Sequence, residues 1–132
     1  MPPRKKTPSP LQDLLTDEAK DAGLLAALLV SPGDQVVASY IAVGLDKATA
    51  ESPLLTTRRI FGNAESRAQL AQLQESVFYD LDGRRLICRP LMLPTLDDAS
   101  PYVLVVLTTA EQTYRRALNK LVRAIENATG GF

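Results

Sequence analysis

The run YVLVVL at residues 102–107 is the feature that most constrains how this chain can fold. Every residue in it is apolar, and three of the six are valine. A strand with one face in water alternates apolar and polar residues, whereas an unbroken apolar run is typical of a strand covered on both faces. The run therefore predicts a central strand of a sheet with helices packed on both of its sides.

The N-terminal part of the chain has the pattern of a helix followed by a hairpin. The segment SPLQ at residues 9–12 has the composition of a helix start. Gly23 can adopt the left-handed backbone conformation that ends a helix. The apolar run at residues 24–30 and the largely apolar stretch QVVASYIAV at residues 35–43 enclose SPGD at residues 31–34, where proline and glycine suit a type II turn. We therefore expect a short amphipathic helix and then two antiparallel strands.

Two more helices are predicted by apolar residues at helical spacing. The middle helix runs from about Arg58 to Gln74, and one face consists of Phe61, Ala64, Ala68 and Ala71. The segment TTAE at residues 108–111 has the pattern of a capping box, so we expect the last helix to begin there. The stripe of the last helix, closed by the glycines at 130–131, is Tyr114, Ala117, Leu118, Leu121, Ile125 and Ala128.

The segment SVFYDLDGRRLICRP at residues 76–90 predicts a second hairpin. A two-residue type I′ turn at Asp82 and Gly83 would pair Val77 with Cys88. The same register would place Asp80 opposite Arg85 as an ion pair. The residues on one face would then be Val77, Tyr79, Leu81, Leu86 and Cys88. Cys88 is interpreted as a small buried hydrophobe rather than a reactive thiol, because the chain has no histidine to activate it.

Composition excludes several classes of function. The 15 basic and 15 acidic residues cancel, which argues against nucleic acid or an anionic membrane as the main partner and favours proteins. With one cysteine and no histidine there is no intramolecular disulfide, no Cys₂His₂ zinc site and no Ser-His-Asp triad. A thiol enzyme using Cys88, or a hydrolase using Asp97 and Asp98 in a predicted loop with Pro94 and Pro101, would lack activating partners. We therefore predict a non-enzymatic protein with no catalytic, cofactor-binding or metal-binding residues.

The first residues carry no targeting pattern. Residues 1–8 are basic and proline-rich, and we predict a disordered tail there, followed by one domain at residues 9–132. The tail lacks the apolar core of a secretory signal. The longest apolar run, at residues 24–30, is far below the roughly 20 residues that cross a bilayer. The expectation is a cytoplasmic protein without direct membrane insertion.

Three stretches together resemble the roadblock superfamily, named after a dynein light chain. They are LLAALLVSPGDQVVASY, VFYDLDGRRLICRPL and YVLVVLTTAEQTYRRALNKL, and the resemblance covers about residues 9–128. It implies an α+β fold of order α-β-β-α-β-β-β-α, also found in longin and profilin-like proteins. In this fold the middle helix covers one face of a five-stranded antiparallel sheet, and the terminal helices cover the other.

The resemblance also implies a dimer formed through the middle helix and the strand that follows it. In this chain those elements correspond to Arg58–Gln74 and Ser76–Leu81. The predicted interface residues are Phe61, Ala64, Ala68, Ala71, Val77 and Phe78. The alternative is that these residues only fill the core of the domain. The expected partner is another roadblock-type chain, either identical or different.

Members of the superfamily serve three kinds of function, each without enzymatic activity. Some are subunits of the Ragulator or EGO scaffold, which holds Rag-type small GTPases at the lysosome or vacuole in TOR signalling. Others are bacterial regulators of a Ras-like GTPase, and others are dynein light chains that act as motor adaptors. The long C-terminal helix favours the scaffold reading, with peripheral attachment through partners, and the bacterial regulator is the competing hypothesis.

Overall fold

The computed structural model describes residues 10–47, 51, 54–60, 62 and 74–129. Its elements are α1 (Pro10–Asp21), β1 (Ala26–Val30), β2 (Val36–Ile41), the helical segment α2 (residues 54–60), β3 (Ser76–Tyr79), β4 (Arg85–Leu93), β5 (Asp97–Thr108) and α3 (Tyr114–Ala128). The five strands form one antiparallel sheet in the order β2-β1-β5-β4-β3. The predicted α+β fold and the central position of residues 102–107 are confirmed.

The sheet separates two apolar layers. Alternate residues of β5 enter different layers, because successive side chains of a strand point to opposite faces. Leu104 and Val106 pack with Leu15 of α1 and with Leu118, Leu121 and Ile125 of α3. Val103 and Val105 pack on the other face, where α2 contributes Leu54. Fully burying each of these side chains stabilises the fold by about 1.5–3 kcal/mol, so β5 is the centre of both layers.

The turn of the first hairpin is not the predicted type II turn. A type II turn requires positive φ at its third residue, which here is Gly33, yet the positive φ of +66° belongs to Asp34. The Asp34 amide donates to the Ser31 carbonyl at 2.9 Å. The register also shifts by one residue between Leu29 and Val30. Aspartate tolerates the left-handed region, so it can occupy this position without glycine.

The second hairpin contains the predicted turn residues, but its register is one residue away from the prediction. Tyr79 pairs with Arg85 and Val77 with Ile87, because the loop has three residues, Leu81 to Gly83. The Gly83 amide donates to the Asp80 carbonyl at 3.0 Å, and only Gly83 has the positive φ, +85°, that a type I′ turn would need at both central residues. The prediction of a type I′ turn is therefore wrong.

This change of register moves residues to the other face of the sheet. Val77 packs in the layer of α1 and α3, whereas Cys88 and Leu86 pack in the layer of α2. The shared face predicted for Val77, Tyr79 and Cys88 is therefore wrong, although Cys88 is fully buried as expected. The ion pair is also different. Asp80 bonds to Arg84 at 2.6 Å instead of Arg85.

The ends of the helices agree only in part with the sequence patterns. Gly23 has φ +73°, and its amide donates to the Lys20 carbonyl at 3.1 Å, which confirms the predicted stop of α1. The capping box at residues 108–111 is wrong, because Thr108 is the buried last residue of β5 and α3 begins only at Tyr114. Thr113 stands at the N-cap without a side-chain bond to the helix.

Two further boundaries differ from the predictions. The loop predicted around Asp97 and Pro101 is shorter, because both residues belong to β5 and the turn comprises only residues 94–96. The middle helix starts earlier than Arg58, since residues 54–60 are helical and Leu54 is buried. Several predicted positions lie outside the described residues: the tail at 1–8, Ser9, Phe61, Ala64, Ala68, Ala71 and the glycines at 130–131.

Candidate protein-interaction edge

Strand β3 is one edge of the sheet and has β4 as its neighbour. The Asp80 amide donates to the Arg84 carbonyl at 3.0 Å, so Asp80 forms a hydrogen-bonded pair with β4. In an antiparallel pair, bonded and non-bonded positions alternate. Phe78 therefore also bonds to β4, whereas the main-chain groups of Val77 and Tyr79 point away from it. These outward groups can accept another extended strand.

The side chains on this edge are apolar and accessible. Phe78 is 36% exposed and Tyr79 67% exposed, and Leu81 at the tip of the loop is fully exposed. Phe78 extends toward the face of α2, and Tyr79 extends toward the face of α3, since neighbours on a strand alternate. The structure thus places the two predicted interface residues Val77 and Phe78 on one edge but on opposite faces.

Two arginines of β4 hold this edge against α3. Arg89 donates to the Glu75 carboxylate from Nε at 3.1 Å and from Nη2 at 2.7 Å, and its Nη1 donates to Asn119 Oδ1 at 2.6 Å. A guanidinium is suited to this role because its donors form a planar fork. Glu75 immediately precedes β3 and Asn119 lies in α3, so one side chain joins three elements.

Arg85 makes the corresponding connection nearer the turn. Its guanidinium carbon lies 5.8 Å from the ring centre of Tyr79 and 5.4 Å from that of Tyr114, and Nη1 donates to the Gln112 carbonyl at 2.8 Å. The sequence interpretation missed both arginines as bridging residues. The two arginines are four residues apart on a strand, so they share one face, and this spacing could have predicted their common role.

Cys88 lacks the properties of a nucleophile. Desolvation raises the pKa of its thiol to about 12, although Ser76 and Arg58 nearby act in the opposite direction. The thiolate is the reactive form, so a thiol with this pKa is almost entirely protonated at neutral pH. The carboxylate of Asp97 binds the amides of Ala99 at 2.8 Å and Ser100 at 3.0 Å through Oδ1. Neither contact is an activating partner for catalysis.

The described part of the chain offers neither a metal site nor a membrane-spanning helix. Within these residues no group of three or more His, Cys, Asp or Glu side chains is placed to hold a metal ion. None of the helices there has the length and apolar character needed to cross a membrane. The edge formed by β3 is therefore the candidate site that the described geometry supports best.

The five-stranded sheet, with α1 and α3 on one face and α2 on the other, has the fold of solved roadblock/LC7 proteins. MglB of Myxococcus xanthus superimposes with a TM-score of 0.66 at 14% identity, covering 97% of this chain and 93% of that one. A roadblock/LC7 domain of Streptomyces avermitilis reaches 0.64 at 18% identity, with coverage of 91% and 95%. An MglB solved in a tetrameric arrangement reaches 0.55 at 17% identity, with coverage of 97% and 99%. No family model matches the sequence, and no curated protein matches it.

Proposed function

We propose that this chain is a self-associating roadblock-type protein that binds a Ras-like small GTPase and regulates it in a bacterium. The single observation that carries the proposal is the edge at β3, which among the described residues pairs with β4 alone. Outward main-chain groups at Val77 and Tyr79 lie there beside the exposed side chain of Phe78. An edge of this kind favours aggregation in a solitary domain, whereas it is protected in a protein that pairs.

The proposed pair joins two β3 strands antiparallel, so that the two sheets become one. A twofold axis would place the same residues of each copy opposite one another. Phe78 would then be covered on the α2 side, and the helix with the predicted Ala64, Ala68 and Ala71 face would pack beside it. The contacts that Arg89 makes to Glu75 and Asn119 support this arrangement, because they fix the edge before the partner arrives.

The GTPase and the bacterial setting rest on the resemblance to the superfamily. Two of the structures similar to this chain come from bacteria, and the MglB with a tetrameric arrangement is a self-associating relative. In the sequence alone, the long C-terminal helix favours a subunit of the Ragulator or EGO scaffold. The match to Myxococcus MglB covers 97% of this chain, so this helix does not separate the two classes. A Rag-type partner, a lysosomal role and a dynein adaptor role receive no support from the structures compared.

Self-association is tested with two lysine substitutions. Phe78→Lys places a charge on β3, where it would be desolvated in the pair, and should convert the oligomer to a monomer in light scattering. Leu81→Lys changes an exposed leucine at the tip of the loop and should leave the mass unchanged. A Phe78→Lys protein with the mass of the parent would move the interface elsewhere. Ala68→Arg is the corresponding test of the predicted helix face.

GTPase binding is tested directly with purified components. Ras-like GTPases from the source organism are loaded with GDP or with a non-hydrolysable GTP analogue and titrated against the parent and the Phe78→Lys protein. Binding should prefer one nucleotide state, and it should weaken in the Phe78→Lys protein because a surface built from two copies is lost. If none of these GTPases binds in either state, the proposed regulatory function is wrong, even where self-association holds.

A further inference from the structure

Strand β2 is the opposite edge of the sheet, and its main-chain groups at Ser39 face outward. Ser39 lies opposite Leu28 of β1. The Ala42 amide donates to the Leu25 carbonyl at 2.9 Å, so the bonded positions of β2 are Ala42 and every second residue before it. Ser39 falls between these positions. Its N–H and C=O therefore point away from β1, as those of Val77 and Tyr79 point away from β4.

A side chain occupies this outward position on β2. The amide of Gln12 accepts a hydrogen bond from the Ser39 N–H at 3.0 Å through Oε1 and donates one to the Ser39 carbonyl at 2.6 Å through Nε2. A primary amide presents a carbonyl oxygen and an N–H group side by side, like the peptide groups of a neighbouring strand, and its second N–H remains for another acceptor. Gln12 thus satisfies the same two groups that a residue of an additional strand would bind.

Helix α1 fixes the orientation of this amide. Gln12 Nε2 lies 3.0 Å from Thr16 Oγ1, and the Thr16 hydroxyl donates to the Gln12 carbonyl at 2.9 Å. Residues four apart lie on the same side of a helix, so Thr16 is one turn away from Gln12. Rotating the amide by 180° would place donor against donor and acceptor against acceptor at Ser39, which disfavours the alternative orientation.

We propose that Gln12 acts as a side-chain substitute for a strand at Ser39 and so hinders other chains from pairing with the β2 edge at this position. At the opposite edge, no side chain of the described residues bonds to the outward main-chain groups of Val77 or Tyr79. A sheet with two open edges can add copies without limit, whereas a sheet with one edge blocked at a central position favours joining through the other edge alone. Gln12 would therefore limit the length of the assembled sheet. The limit on sheet length rests on the proposed pairing of β3, whereas the role of Gln12 at Ser39 does not.

The test uses Gln12→Ala, with Asp13→Ala as the matched control on the neighbouring exposed position. Amide exchange followed by NMR should become about tenfold faster at Ser39 in Gln12→Ala, because one hydrogen bond to that amide is lost. Exchange at Ala38 and Tyr40 should stay at the parent rate, which also demonstrates that β2 remains folded. Asp13→Ala should leave all three rates unchanged. Unchanged exchange at Ser39 in Gln12→Ala would overturn the proposal.

Light scattering tests whether opening this edge changes assembly. Gln12→Ala should exceed the mass of the parent, and the double variant with Phe78→Lys should exceed the mass of Phe78→Lys alone. If neither mass rises, Gln12 does not limit association and the proposal is overturned. If Phe78→Lys alone keeps the parent mass, the proposed β3 pairing fails. In that case the mass and the Ser39 exchange rate of Gln12→Ala, each compared with the parent, still decide the role of Gln12.

Discussion

The guanidinium carbon of Arg85 lies 5.4 Å from the centre of the Tyr114 ring and links β4 to the first turn of α3. Because Arg85 also lies 5.8 Å from the Tyr79 ring, it sits between an aromatic side chain of the sheet edge and one of a helix. Such cation–π contacts stabilise by about 0.5–1 kcal/mol at partly exposed sites. This residue therefore couples the position of the candidate interaction edge to the helical layer.

We expect Arg85→Lys to reduce the free energy of unfolding by about 1 kcal/mol, since lysine lacks the planar group that stacks and binds the Gln112 carbonyl. Urea unfolding followed by circular dichroism measures the change. Arg115→Lys is the control, because Arg115 also contacts the Tyr114 ring, at 5.5 Å, but is exposed. An equal loss of unfolding free energy in both variants would mean that Arg85 stabilises the fold no more than Arg115 does.

The two hairpin glycines should differ in their tolerance of a side chain. Gly83 has φ +85°, and a Cβ there would meet the Cβ of Ala110 at 3.0 Å. Gly33 lacks positive φ, and its Cβ would meet nothing closer than 3.8 Å. We expect Gly83→Ala to destabilise by about 1–2 kcal/mol, while Gly33→Ala stays within about 0.5 kcal/mol of the parent. Thermal unfolding compares the two, and Gly83→Val should be at least as unstable as Gly83→Ala.

Cys88 should make stability fall at alkaline pH. Burial raises the pKa of its thiol from the ordinary value of 9.0 to about 12. Above pH 9 the unfolded chain loses this proton while the folded chain keeps it, so unfolding becomes more favourable as the pH rises toward 12. The effect is about 1.4 kcal/mol per pH unit in that range.

The measurement compares the parent with Cys88→Ala in urea at pH 8 and at pH 10. Cys88→Ala leaves a cavity whose cost is the same at both pH values, so only the change in the difference between the two proteins reports the thiol. The parent should exceed Cys88→Ala in free energy of unfolding by less at pH 10 than at pH 8. A constant difference would mean that the folded thiol ionises as readily as the unfolded one, and rapid reaction with a thiol reagent would contradict its burial.

Asp80 should titrate at a lower pH than an ordinary aspartate. Partial desolvation raises its pKa, but the Arg84 side chain, the Arg84 amide and the Asp82 amide together outweigh this effect and lower it below 3.8. The carboxylate form is therefore favoured in the folded state, and the contribution of Asp80 to stability is lost as the pH falls through its folded pKa. Carbon-detected NMR of the carboxyl group measures the midpoint. Arg84→Gln should move the midpoint upward, and an unchanged midpoint would contradict the role of Arg84.

Residues 102–107 show why the centre of this fold could be predicted. An unbroken apolar run has one stable position, the middle of a sheet that is covered on both faces, and the structure buries every one of these residues at least in part. The helix stripe with Leu118, Leu121 and Ile125 was predictable for the same reason, since burial and helical spacing agree. These predictions depend on patterns that are local in sequence.

The register of the second hairpin could not be obtained in this way. Asp82 and Gly83 suit a two-residue loop, but they also suit a three-residue loop that ends in Gly83. The carboxylate of Asp80 decides between them, because its Oδ1 accepts bonds from the amides of Asp82 at 3.0 Å and Arg84 at 2.8 Å. The interpretation of the sequence assigned Asp80 to an ion pair across the strands and so did not consider this role.

The polar contacts that organise the two sheet edges were equally inaccessible. Gln12 and Ser39 are 27 residues apart, and Arg89 and Asn119 are 30 residues apart. Glutamine in the first turn of a helix and arginine in a strand are ordinary surface residues until the fold brings their partners together. The interface face on the middle helix, with Phe61, Ala64, Ala68 and Ala71, lies outside the described residues and stays a prediction.

The central position of β5 has a consequence for synthesis of the protein on the ribosome. β1 pairs with β5 from Ala26 opposite Leu107 to Val30 opposite Val103, so the first hairpin lacks a neighbour until most of the chain has been made. During that time Leu28 and Val30, which are fully buried in the finished domain, can pack against α2 but not against β5. The interval between synthesis of the first hairpin and synthesis of β5 should therefore be a period in which the nascent chain is prone to aggregate.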